Sequence, residues 1–100
     1  MKIGEKVLGR SFRVTKKSKS RDFATLFGET MRDLRIDAGV AQNKASELSG
    51  LSQSFVSRME KGQRNIGLRN LVSFLRAIDF DIDKIGQLVI EVENELKKDK

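Results

Sequence analysis

Apolar residues recur every three or four positions along most of the chain, which predicts helices rather than strands. The first predicted helix runs from Asp22, which can cap it, to about Ala38, and Gly39 ends it. The residues on its expected inward face are Phe23, Phe27, Met31, Leu34 and Ala38. The pattern therefore opens with a helix of roughly four turns.

The next two predicted helices are short and lie close together, over about Gln42–Ser49 and Gln53–Lys61. Gly50 between them can adopt the positive φ of a helix C-terminus, and Ser52 can cap the second of the pair. The expected inward residues of that second helix are Val56 and Met59. Two short helices joined by a tight turn are typical of a DNA-reading helix-turn-helix.

Two further helices complete the pattern. One is predicted over Leu68–Ile78, and Asp81 can cap another that begins near Ile82. The inward residues expected on the fourth helix are Leu71, Phe74, Leu75 and Ile78, and the apolar stripe of the fifth is Ile82, Ile85, Leu88, Val89, Val92 and Leu96. No proline interrupts these segments. We therefore expect an all-α fold, a compact bundle of about five helices.

Charge separates the N-terminal segment from the rest of the chain. Residues 1–21 hold eight basic side chains and one acidic, a net charge of +7, whereas residues 22–81 balance and residues 82–100 carry −1. Phe12 and Val14 alternate with polar residues, which allows a short strand over residues 10–15. The expected organisation is a basic arm (1–21), a helix-turn-helix domain (22–87) and a C-terminal helical extension (88–100). The arm suits a polyanion, and the alternative is a solvated tail.

The composition argues against an enzyme. The chain has no His and no Cys, so it lacks the commonest general base, a thiolate nucleophile and the commonest metal ligands. We expect no metal and no cofactor. No segment approaches the roughly 20 apolar residues that a membrane span needs, and no secretory signal is evident, so we expect a cytoplasmic protein.

Short motifs in this order carry a family resemblance. They are Leu34-Arg35 with Gly39, Gln42, Gly50-Leu51-Ser52, the run from Phe55 to Gly62, Arg64-Asn65, and Asp81-Ile82-Asp83. Over about residues 27–85 the chain resembles the lambda-repressor-like, Xre-type helix-turn-helix family. The resemblance implies a bundle of four or five helices that binds operator DNA as a dimer. Ala41 and Gly67 depart from the family at two positions where it usually has helix caps, so weak capping is expected there.

The residues expected to contact DNA bases lie around the start of the third helix, the end that enters the major groove in this motif. They are Ser52, Gln53, Ser54, Ser57 and Arg58. Gln53 can bond adenine through two atoms, and the alternative is that it is only a good helix-forming residue. Arg58 can read guanine, hold a phosphate or pair with Glu60 or Glu47. Phe55 can contact DNA or pack over the turn.

The residues expected to contact DNA phosphates lie at the start of the second helix and after the third. They are Gln42, Lys61, Arg64, Asn65 and Arg69. Gln42 can hold a phosphate together with free backbone amides, or it can simply be solvated. For the loop at Arg64 and Asn65 the expectation follows from the family resemblance. Glu60 is expected to pair or cap within the fold, since phosphates repel a carboxylate.

The apolar stripe of the fifth helix is expected to form a homodimer seam through Ile85, Leu88, Val89, Val92 and Leu96. The alternative is that all of them pack within one chain. We therefore expect a sequence-specific, double-stranded DNA-binding regulator, a homodimeric repressor. One alternative is an antitoxin that binds a protein toxin and represses its own operon. Another is a restriction-modification controller, to which the loop Gly62–Ile66 is similar.

Overall fold

The computed structural model describes residues 22–98, and within them the fold consists of five α-helices and one 3₁₀ turn. These elements are α1 (Phe23–Asp37), α2 (Gln42–Ser49), α3 (Gln53–Glu60), α4 (Leu68–Ala77), the turn Ile82–Lys84, and α5 (Ile85–Lys97). The all-α class and the order of the helices predicted from the sequence are confirmed. The basic arm, and the short strand considered near residues 10–15, lie outside the described residues.

Local side chains set the beginnings of α1 and α3 as predicted. Asp22 accepts a hydrogen bond from the backbone N–H of Thr25 at 2.7 Å, and Ser52 accepts one from Phe55 at 3.0 Å. Each bond satisfies an amide that has no partner within its own helix. Gly50 has φ 79°, a left-handed conformation that lets the chain turn sharply from α2 into α3.

The other helix beginnings lack this support. Ala41 and Gly67 precede α2 and α4, and neither helix receives a side-chain capping bond within the described structure, as the departures from the family pattern predicted. Asp81 does cap, but it accepts from Asp83 at 3.0 Å and so begins the 3₁₀ turn rather than α5 itself.

A single core joins the five helices. α1 packs against α3 and α5, and α2 packs against α3 and α4. The buried apolar residues are Leu26, Phe27, Met31, Leu34, Ala45, Val56, Met59, Leu71, Phe74, Leu75, Ile78, Phe80, Leu88 and Val92. Because α1 meets helices on two sides, its buried face also includes Leu26 and Thr30. Phe23 and Ala38, expected to face inward, are exposed.

The stripe on α5 divides into buried and accessible positions. Leu88 and Val92 are fully buried within the single chain, so neither has surface left for a second copy. Ile90, by contrast, is 58% exposed. The half-buried members of the stripe are Ile85, Val89 and Leu96. Residue 88, where the C-terminal extension was expected to begin, lies inside this continuous helix.

Candidate nucleic-acid interface

The two sides of α3 differ in burial. Val56 and Met59 face the core with 0% and 2% of their surface exposed, which confirms the predicted inward face. Of the residues expected to contact bases, Ser52, Gln53, Ser54 and Arg58 are exposed and Ser57 is half-buried. The structure therefore brings these polar side chains together on one accessible side of a short, well-anchored helix.

Close contact with the backbone of α1 fixes the position of α3. A Cβ atom at Gly28 of α1 would overlap the carbonyl oxygen of Met59 and lie 3.0 Å from that of Glu60. Only glycine therefore allows the two helices to approach this far. Sequence reasoning missed Gly28, although a glycine inside a helix costs up to about 1 kcal/mol relative to alanine and so signals a packing role.

A buried ion pair also ties α3 to α1. The guanidinium of Arg35 donates from Nε to Glu60 Oε2 at 2.7 Å and from Nη2 to Glu60 Oε1 at 3.0 Å. Its Nη1 atom donates to the carbonyl oxygen of Val40 at 2.8 Å. The two side chains are only 9% and 2% exposed. The prediction that Glu60 pairs within the fold is confirmed, and Arg35 is a partner that the sequence did not identify.

Glu60 also holds the first residue of α2. Gln42 Nε2 donates to Glu60 Oε1 at 3.0 Å, so one of its two side-chain N–H groups points into the fold. Gln42 is half-buried rather than simply solvated. Because no described side chain caps α2, the amides of its first turn have no side-chain acceptor, and such amides can bind an anion.

The carboxylates considered as partners of Arg58 are engaged elsewhere. Glu60 pairs with Arg35, and Glu47 lies 3.5 Å from Lys44 Nζ. Within residues 22–98 the structure therefore does not pair Arg58 with either carboxylate. Arg58 is exposed beside the other α3 candidates, where its donors can reach a nucleic acid.

The chain after α3 holds the remaining residues that were expected to contact phosphates. Lys61, Arg64, Asn65 and Arg69 are all exposed. The guanidinium carbon of Arg64 lies 5.4 Å from the centroid of the Phe55 ring, within range of a cation–π contact. Phe55 is half-buried against the core, so in this structure it adopts the packing role that was one of its two alternatives.

An apolar groove that the sequence did not predict lies beside this loop. It has a volume of about 340 Å³ and is lined mainly by apolar side chains, among them Phe23, Phe27, Leu68 and Val89. Arg64 also lines it. Leu68 is 71% exposed. Leu68 lies three and seven residues before the buried Leu71 and Leu75, the spacing of one helix face, so the apolar spacing gave no signal that its side chain would be accessible.

The described part of the chain shows neither a metal-binding cluster nor a membrane-spanning helix. Among residues 22–98 no group of three or more acidic side chains is arranged to hold a metal ion. No helix in the same range is long and apolar enough to cross a membrane. The assembled features are an exposed polar helix face, a basic loop and an uncapped helix N-terminus, all suited to a polyanion.

Comparison with known proteins agrees with this geometry. A family model described as a helix-turn-helix domain matches residues 26–88. A control protein, C.SmaI from Serratia marcescens, is 25% identical over 64 residues, which cover 64% of this chain and 76% of that protein.

Two solved structures are similar to this chain over nearly their whole length. The restriction-modification controller protein C.AhdI from Aeromonas hydrophila is 33% identical, with a TM-score of 0.57 over 73% of this chain and 98% of that one. The clp gene regulator ClgR from C. glutamicum has a TM-score of 0.66 over 81% of this chain and 99% of that one. At 22% identity ClgR supports the fold alone.

Proposed function

The chain belongs to the Xre-type helix-turn-helix family, and on that premise we propose that it is a sequence-specific regulator that occupies operator DNA as a homodimer. The observation that carries this proposal is the exposed polar side of α3. Gln53 and Ser54 are accessible at the end of the helix that enters the major groove in this motif. No chemical step is required, because occupancy of an operator that overlaps a promoter is enough to repress transcription.

The proposed contacts divide into two kinds with different consequences. Gln53, Ser54, Ser57 and Arg58, with Ser52 beside them, would read base edges and so set sequence preference. Gln42, Lys61, Arg64, Asn65 and Arg69 would hold phosphates, which adds affinity without sequence information and makes binding sensitive to salt. The basic arm would add phosphate contacts, and deleting residues 1–21 should then flatten the salt dependence.

Replacing Gln53 with alanine tests base reading. The site is first selected from random duplexes with the unaltered protein, and affinities for that site and for a scrambled duplex are then measured. Gln53→Ala should weaken binding to the selected site by about 1–3 kcal/mol and leave binding to the scrambled duplex almost unchanged. The matched control is Gln87→Ala, an equally polar exposed position on α5. An equal loss on both duplexes would contradict base reading by Gln53.

The proposed dimer surface combines the accessible edge of α5 with the neighbouring groove. Ile90 and Leu68 are 58% and 71% exposed, and Val89 lines the groove together with Leu68. Covering these apolar side chains with a second apolar surface lowers the free energy, because it removes them from water. Of the residues expected at the seam, Ile85, Val89 and Leu96 remain available at least in part, whereas Leu88 and Val92 serve the core.

Solution mass tests the dimer. Light scattering should give a dimer at tens of micromolar for the unaltered chain and a folded monomer for Ile90→Asp. The reading helices of the dimer should lie about 34 Å apart, one duplex turn, so the monomer should bind a two-fold operator far more weakly. Ile36→Asp is the control, because Ile36 is 50% exposed on α1. A monomeric unaltered protein would remove this part of the proposal.

A narrower role has support from two relatives. One protein similar to this chain is named a control protein and another a restriction-modification controller protein. We therefore propose that the regulated operon includes restriction-modification genes. The selected operator should then occur upstream of such genes in the source genome, and its absence there would contradict this role. The antitoxin alternative has no support from these relatives, and co-purification with a bound toxin remains its test.

A further inference from the structure

Phe55 and Arg64 form a contact between the reading helix and the loop that follows it. Phe55 lies on α3 two residues after Gln53, and Arg64 lies between α3 and α4. The guanidinium carbon of Arg64 is 5.4 Å from the centroid of the Phe55 ring. The ring is half-buried and packs against the core, so the surface that it offers to Arg64 is held in place.

The backbone on both sides of Arg64 is also anchored. The N–H of Gln63 donates to the carbonyl oxygen of Arg58 at 2.8 Å. Gly62 has φ 78°, and a Cβ there would lie 2.6 Å from the Cα of Thr25, so the chain leaves α3 pressed against α1. Ile66, on the other side, packs against the core. Arg64 therefore extends from a fixed position, and the Phe55 ring is one of the surfaces beside which its side chain lies.

When a guanidinium lies face-on to an aromatic ring, the contact uses its face and leaves its edge free. The N–H groups of arginine lie in the guanidinium plane and form the fork that matches a phosphate. A long side chain that is already oriented loses less conformational freedom when it binds. Stacking on Phe55 can therefore strengthen a phosphate contact without competing with it.

We propose that Phe55 is a positioning residue for DNA binding: its ring orients Arg64 so that the guanidinium edge contacts a phosphate at a fixed distance from the base-reading Gln53. This inference rests on the proposed function, because it needs a DNA duplex as the ligand. It assigns Phe55 a role that requires no contact between its own side chain and DNA.

A double-mutant cycle tests the coupling between the two side chains. Binding to the selected operator and to the scrambled duplex is measured for Phe55→Leu, Arg64→Ala and the combination. Phe55→Leu should weaken binding to both duplexes by about two- to fivefold, because the phosphate contact carries no sequence information. In the Arg64→Ala background the same replacement should have no further effect. A Lys61→Ala background is the control, in which the full two- to fivefold loss should persist.

A conservative variant separates positioning from a purely structural role. Phe55→Tyr keeps a ring for the guanidinium and should restore affinity, with the melting temperature of each variant measured in parallel. If Phe55→Leu does not fold, Arg64→Lys takes its place, and it should lose most of the Arg64 contribution. An ammonium can still attract the ring, but it lacks the planar fork that binds a phosphate at its edge while its face lies on the ring.

The outcomes are distinct. An equal loss of affinity from Phe55→Leu with and without Arg64 would overturn the proposal. So would an operator affinity of Arg64→Lys equal to that of the unaltered protein. An unaltered protein that selects no duplex would instead defeat the proposed function.

Discussion

The helices α3 and α5 bury one side in the same core, but only α5 carries an exposed large apolar side chain among the polar residues of its outward side. α3 presents Gln53, Ser54 and Arg58 to the surroundings. α5 presents Ile90 and the edge of Val89 beside polar residues such as Gln87. Polar donors and acceptors can replace their bonds to water with bonds to bases and phosphates. Apolar side chains, by contrast, contribute favourable free energy to binding only when they are removed from water. Similar burial therefore favours a nucleic acid on one helix and a protein surface on the other.

A charge on the buried side of α5 should have the largest effect on stability. Val92 is fully buried, so Val92→Asp should cost more than about 4 kcal/mol and leave no folded population. Ile90→Asp, on the outward side of the same helix, should change the free energy of unfolding of the monomer by less than about 0.5 kcal/mol. Thermal unfolding followed by circular dichroism gives both values. Equal stability of the two variants would mean that α5 does not pack as described.

The buried ion pair gives the next largest effect, on the inward side of α3. Glu60→Ala leaves the Arg35 guanidinium buried without its carboxylate, and the free energy of unfolding should fall by about 3–5 kcal/mol. Glu47→Ala is the matched control, since its pair with Lys44 is 73% and 58% exposed and should contribute less than about 1 kcal/mol. Urea unfolding measures the two changes. A loss of similar size in both variants would show that burial of the pair does not matter.

The contact between α1 and α3 predicts a smaller effect. Gly28→Ala places a methyl group against the Met59 carbonyl and should destabilise the protein by about 2 kcal/mol. Gly86 on α5 has open space around it, so Gly86→Ala should instead stabilise by about 0.5–1 kcal/mol. Stability changes of opposite sign for Gly28→Ala and Gly86→Ala would show that Gly28 lies against the backbone of α3, whereas Gly86 has open space around it. Two changes of the same sign would remove that contrast.

The outward side of α3 should contribute least to folding. Ser54→Ala removes one exposed hydroxyl, so unfolding should change by less than about 0.5 kcal/mol. Its affinity for the selected operator should fall by about 1 kcal/mol, the value of one hydrogen bond, with no change on a scrambled duplex. Fluorescence anisotropy with labelled duplexes measures both affinities. Unchanged operator affinity would restrict base reading to the other candidates.

Much of the fold was predictable because its signals are local. Among residues 22–98 the spacing of apolar residues located every helix, and the caps at Asp22 and Ser52 formed as expected. Gly50 took the left-handed conformation that the tight turn requires. The accessibility of Gln53 and Ser54 followed from the inward positions of Val56 and Met59, since a helix that buries one side exposes the other.

The amino-acid sequence by itself determined the helices, their order, the turn between α2 and α3, and the polar chemistry offered by α3. Each of these depends on neighbours within a few residues. Only the tertiary structure decided that Arg35 meets Glu60, which lies 25 residues away, and that Gly28 receives the backbone of α3. It also divided the α5 stripe, because periodicity identifies an apolar side of a helix but not how far neighbouring helices cover it.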